Sequence, residues 1–101
     1  MAYRVDLTTR ATADLRRIYR RINAANSLAA RDWFEGLEVA ILGLAESPSR
    51  NPRTPENAAL RHLLYRSKSY VYRVIYALDE DAQRVTVLHI RHGAQEPMPT
   101  S

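Results

Sequence analysis

The chain has 101 residues, 46% of them hydrophobic, with 15 Lys and Arg against 11 Asp and Glu, a net charge of +4 and no cysteine. That is apolar content for one small core and too little chain for two, and the missing cysteines exclude a disulfide scaffold and thiolate metal sites. No segment reaches the ~20 apolar residues of a membrane span, and MAYRVDLTTR lacks the apolar run of a signal peptide, so a soluble cytoplasmic protein without a membrane partner is expected. Lys68 is the only lysine. The positive charge is therefore almost all arginine, the side chain suited to bidentate contact with phosphate or carboxylate. An arginine-rich genome gives the same bias with no partner at all.

In chain order, Tyr3–Leu7 alternates as a short first strand. Thr8 or Thr9 caps a helix whose stripe is Leu15, Ile18, Tyr19 and Ile22, spaced i, i+3, i+4, i+7. Asp14 suits the positive end of that helix's dipole. Arg16, Arg17, Arg20 and Arg21 fall mainly off the stripe and read either as a solvated face or as an anionic docking surface. Asn23–Asn26 breaks the helix and Ser27 caps a second one, running to about Glu46 with Ala30, Trp33, Phe34, Leu37, Ile41 and Leu44 on one side. Gly36 and Gly43 weaken it by up to about 1 kcal/mol each. So short a connection predicts an antiparallel helical hairpin. Ser47–Ala59, with Pro48, Pro52 and Pro55, has no periodicity and reads as a loop, of the kind that is often functional or mobile.

Three strands follow: Leu60–Arg66, a turn at Ser67–Ser69, Tyr70–Leu78, an acidic turn at Asp79–Gln83, and Arg84–Ile90. The expected architecture is α+β, in the order β-α-α-β-β-β, with the helical hairpin packed on one face of a mainly antiparallel sheet. Residues 1–93 form the domain and residues 94–101 a flexible tail. Because side chains alternate across a sheet, Tyr70, Tyr72, Val74, Tyr76 and Leu78 should meet the helices. Arg73 should then emerge on the other face, near other arginines and histidines.

Chemical motifs are few. There is no Gly-rich phosphate loop, nucleophile elbow or metal-ligand pair at helical spacing, so no cofactor and no metal are expected. His89 and His92, three apart on a strand, point to opposite faces; His62 and His89 could be cross-strand neighbours, a weak pattern for zinc. Arg73 has two open readings. With Arg61 and Arg91 on adjacent strands it could hold a phosphate or an acidic peptide, and with a histidine it could support RNA cleavage. Alternatively it forms a buried ion pair with an acidic side chain elsewhere.

The segments YRVDLTTRATADLRRI, LEVAILGLAESP, LRHLL, YRVIY and VTVLHIRHG, in that order and spacing, resemble the RelE/ParE superfamily of type II toxin–antitoxin toxins over almost the whole chain. The resemblance implies one of two activities. RelE-like members cleave mRNA on the ribosome without metal; ParE-like members poison DNA gyrase. Arg73 matches a catalytic arginine of the ribonucleases, and Arg66 falls near a second basic position. The segment HGAQEPMPTS lacks their terminal basic cluster and tyrosine, leaving His92 as the only substitute, so the ParE branch is expected. Candidate target- or partner-binding residues are Arg61, Arg66, Arg73, Arg91 and His92. The resemblance further implies a cognate acidic antitoxin through which alone the module binds DNA, and either gyrase or the ribosome with its mRNA as target. A third possibility is a non-enzymatic basic module that binds nucleic acid directly, in a salt-sensitive way.

Overall fold

The computed structural model describes residues 2–66 and 71–92. The Ser67–Ser69 turn, Tyr70, and the expected tail at 94–101 lie outside the described residues. Strand β1 (Arg4–Leu7) leads into helices α1 (Thr9–Arg21) and α2 (Leu28–Leu42), followed by strands β2 (Leu60–Arg66), β3 (Val71–Asp79) and β4 (Arg84–His92). The two helices pack against a four-stranded mixed sheet of order β1-β4-β3-β2. The pairs β2–β3 and β3–β4 are antiparallel, whereas β1 lies at the edge, parallel to β4.

Local chemistry sets each boundary. Thr8 caps α1 by accepting the Ala11 N–H at 3.0 Å, and its hydroxyl donates to Leu88 O at 2.8 Å. The helix ends with Asn23 in the left-handed region (φ 60). There Asn23 N–H reaches Arg20 O and Ala24 N–H reaches Tyr19 O, the paired bonds that satisfy a helix's last carbonyls. Ser27 caps α2. That helix stops at Leu42, short of Glu46, because Gly43–Ala45 tightens into a 3-10 turn.

The core combines both helices with one face of the sheet. Ile18, Ile22, Phe34, Leu37, Ile41 and Leu44 meet Tyr72, Val74 and Tyr76, as the stripes predict, together with Val85, Val87 and Ile90. Leu15 and Trp33 pack against this cluster half-buried. Tyr19 and Phe34 bring the helices together edge to face, with ring centroids 5.1 Å apart.

Two expectations need correction. The Ser47–Ala59 stretch is not structureless: Pro48–Arg50 forms a 3-10 turn, and Arg53 bridges antiparallel to Arg61. Thr54 N–H also reaches Leu60 O and His62 N–H reaches Pro52 O, so the stretch lies as a partial extra strand along β2. Arg73 does face away from the helical core, but it does not emerge. It is 8% exposed.

Candidate functional site

Arg73 sits on β3, opposite Leu64 of β2 and Arg91 of β4. Its Nη1 and Nη2 donate to Glu56 Oε2 and Oε1, each at 2.9 Å, and its Nε donates to His62 Nδ1 at 3.1 Å. Every guanidinium nitrogen is thus engaged. Of the two readings open in the sequence, the buried ion pair is the one the structure contains, in the fork-to-fork form that suits arginine. Glu56 is presented by a tight turn: buried Thr54 accepts the Asn57 N–H at 3.0 Å and donates to Asn57 O at 2.7 Å. Its identity escaped the sequence reading, although it is the only carboxylate in Ser47–Ala59.

Protonation follows from these partners. The hydrogen bond from Arg73 holds the Glu56 carboxyl down at about 2, against the opposing effect of burial. Burial, and then the charge of Arg73, push His62 below its ordinary value. His62 is therefore neutral near pH 7, its Nδ1 accepting from Arg73 and its proton on Nε2.

The remaining candidates scatter. Arg61 pairs with Tyr76, on the helix side of the sheet, and donates to Ser49 O at 3.2 Å and Asn51 O at 2.7 Å. It does not join Arg73. Arg66 is exposed at the end of β2 and shares the Arg73 face by alternation. Arg91 lies across from Arg73 on β4. His92 pairs with Tyr72 on the opposite face, its ring 4.9 Å from the tyrosine ring, so His92 is not beside Arg73. His62 and His89 flank Ile75 on one face, a full strand between them. His89 Nδ1 is buried with no hydrogen-bond partner among the described residues, and burial first, then Arg10, lowers its pKa. Among the described residues, no three His, Cys, Asp or Glu side chains are grouped to hold a metal, and no helix is long and apolar enough to cross a membrane.

Beside α1 the structure assembles a second basic cluster. Past Val87, β4 has no β1 residue to pair with, and α1 covers its edge. Asp14, 4% exposed, accepts the Ile90 N–H on Oδ2 and Arg17 Nη1 on Oδ1, both at 2.9 Å. It replaces a missing strand partner, a role the helix dipole did not suggest. Above it opens a cavity of about 330 Å³ lined by Arg10, Arg17, Arg21, Arg91 and His92, with Ile18, Tyr72 and Ile90. Between the helices lies a more apolar groove of about 370 Å³ along Leu15, Tyr19 and Phe34. Val39 and Leu42 of α2 are exposed.

Comparison with known proteins bears on this geometry. The family described as the ParE toxin of the type II toxin–antitoxin system, parDE, matches residues 5–97. The chain belongs to the ParE toxin family. Among solved structures it is similar to the chromosomal ParDE system of P. aeruginosa, at 16% identity and a TM-score of 0.71, over 90% of this chain and 96% of that one. A mutant of E. coli RelE in the free state is similar at 20% identity and a TM-score of 0.64, over 93% and 86%. The toxin–antitoxin complex RelBE2 from Mycobacterium tuberculosis is similar at 28% identity and a TM-score of 0.60, over 91% and 92%. No curated protein sequence matches. ParE and RelE structures thus share this fold, and the fold alone does not separate their two activities.

Proposed function

We propose that this ParE-family chain is a toxin that acts in the cytoplasm by inhibiting DNA gyrase, and that a cognate acidic antitoxin neutralises it. The observation that carries the reading is the state of Arg73. A ribonuclease of this fold needs a cation turned to the scissile phosphate and an acid or base beside it. Here the arginine at the matching position gives all three nitrogens to Glu56 and His62, and His92 stands on the other face of the sheet. His62 is a poor replacement, because a permanent cation donates to its Nδ1.

For the antitoxin, the groove between α1 and α2 and the exposed Val39 and Leu42 offer apolar surface to a segment that folds on binding. Acidic residues in that segment suit the net charge of +4. DNA is then reached through the antitoxin, not through the toxin itself.

The deciding experiment runs the purified chain in two assays. Gyrase supercoiling should be inhibited, and mRNA on ribosomes should stay intact. Ribosome-dependent cleavage that survives with gyrase unaffected would reverse the choice. Binding of the acidic product of an adjacent reading frame at micromolar concentration tests the partner. Its absence would remove the support for neutralisation by an antitoxin.

A further inference from the structure

We infer that the solvent face of the α1–α2 hairpin is an interface between two copies of this chain, related by a twofold axis along the groove between the helices. The hairpin sorts its exposed charge by helix. Arg16 and Arg20 stand on the side of α1 turned away from the sheet, and Asp32, Glu35 and Glu38 are exposed on α2. Among the described residues none of the five forms an ion pair. Arg16, Arg20 and Glu38 border the groove, whose floor is Leu15, Tyr19 and Phe34. Leu28, Val39 and Leu42 add apolar surface to α2 at 75, 69 and 62% exposure.

A basic strip thus lies beside an acidic one, with apolar surface between and around them. Such a face calls for a partner carrying the same strips exchanged, and a second copy is that partner. A twofold axis parallel to the helices lays α1 of one copy antiparallel over α2 of the other and repeats the contact on its far side. Because Arg16 and Glu38 border one groove, Arg16 then meets Glu38 of the second copy, and Glu38 meets its Arg16. A twofold axis across the helices instead stacks α1 on α1, arginine on arginine, and is unfavourable. With 13 and 15 residues, each helix is about 20 Å long, so the face covers roughly 400 Å² per copy, the low end of specific interfaces. The expected dimer is therefore weak, with a dissociation constant on the order of tens of micromolar. An antitoxin segment seated in the same groove excludes the second copy. The dimer is thus a state of the chain alone, whatever the toxin's target.

The test is sedimentation equilibrium of the full chain alone from about 5 to about 500 µM, in low and in high salt. A monomer–dimer equilibrium is expected, and salt should weaken it because the contacts include exposed charge pairs. Arg16→Glu and Glu38→Arg should each weaken dimerisation about tenfold or more, since every substitution enters the interface twice. The double variant restores opposite charges across the axis and should recover the dimer. Mixing the two single variants should do the same, because one brings two cations to the axis and the other two anions. Glu80→Arg makes the same charge change in the β3–β4 turn and should alter association less than about threefold. All three positions are exposed, so the variants should keep the parent fold, as circular dichroism checks. A chain that stays monomeric throughout the range overturns the inference. So do single variants that associate like the parent, a double variant or mixture that recovers nothing, an equal loss in Glu80→Arg, and association that salt strengthens.

Discussion

Around Arg73, each guanidinium nitrogen has a fixed acceptor and solvent is nearly excluded; around Arg10, an exposed guanidinium faces a cavity with no ion partner among the described residues. The residue type is the same and the consequences are opposite. Arg73 ties the Ser47–Ala59 stretch to the sheet, so its charge is spent inside the molecule. Arg10 has no such carboxylate among the described residues, because Asp14, one turn further along α1, gives one oxygen to Arg17 and the other to the Ile90 N–H. Positive charge counted along a sequence therefore measures nothing about availability. What decides is whether the fold delivers a carboxylate to each guanidinium.

The sharpest way to break this contrast is to remove Glu56. Glu56→Ala leaves Arg73 buried without its counter-ion and should destabilise the chain by about 3 kcal/mol, read as a shift in the denaturant midpoint. Replacing both partners with leucine should cost far less, since no charge is then left buried. A loss below about 1 kcal/mol in Glu56→Ala would mean that water solvates the arginine in solution and that the two regions do not differ.

The same pair should show in the acid limb. A carboxyl whose folded pKa lies below its unfolded value contributes stability above the unfolded pKa and loses it as pH falls through the folded one. For Glu56 that window runs from 4.5 down to about 2. His62, also lowered, contributes in the same direction: its share is present above 6.5 and goes as the imidazole gains a proton and can no longer accept from Arg73. Stability measured by urea titration should therefore fall first below pH 6.5 and again below 4.5. Glu56→Gln should flatten the second decline. A decline of unchanged depth in that variant would place the acid sensitivity elsewhere.

A smaller effect is expected on the other side of the comparison. Asp14→Ala removes the acceptor for Ile90 N–H and should cost about 1–3 kcal/mol, with faster amide exchange at Ile90. Asp14→Asn should recover part of the loss, since an amide oxygen still accepts. If neither substitution alters exchange at Ile90, α1 does not act as the edge cover of β4.

The sequence made the elements legible because their signals are local. Helix stripes, the Ser27 cap, the alternation of the strands and the core side of Tyr72, Val74 and Tyr76 all depend on residues within one or two turns of each other. The resemblance to RelE and ParE toxins then agreed with the family and the fold. The site was less readable. Glu56 and Arg73 are 17 residues apart, and Asp14 and Ile90 are 76 apart, so neither contact follows from periodicity. The parallel placement of β1 beside β4 is likewise a matter of chain return, which no local pattern encodes. Gly36 is an intermediate case. In sequence it only weakens α2, but a Cβ there would run into the Tyr65 hydroxyl, which donates to Trp33 O at 3.3 Å. The glycine makes room for a side chain from a strand that begins more than twenty residues later.

The smallest expected effect is the one on which the contrast depends most. Arg10→Ala should leave stability within about 0.5 kcal/mol of the parent, since the side chain is exposed and makes no ion pair among the described residues. The direction is also set. Removing a cation from the first turn of α1 relieves an unfavourable interaction with the helix dipole, so the variant should be equal to or slightly more stable than the parent. Added salt should shrink that gain, because an exposed charge is screened. A destabilisation above about 1 kcal/mol would make Arg10 a structural residue like Arg73, held by contacts within the fold. A neutral or stabilising result means that the fold gains nothing from a cation at that position.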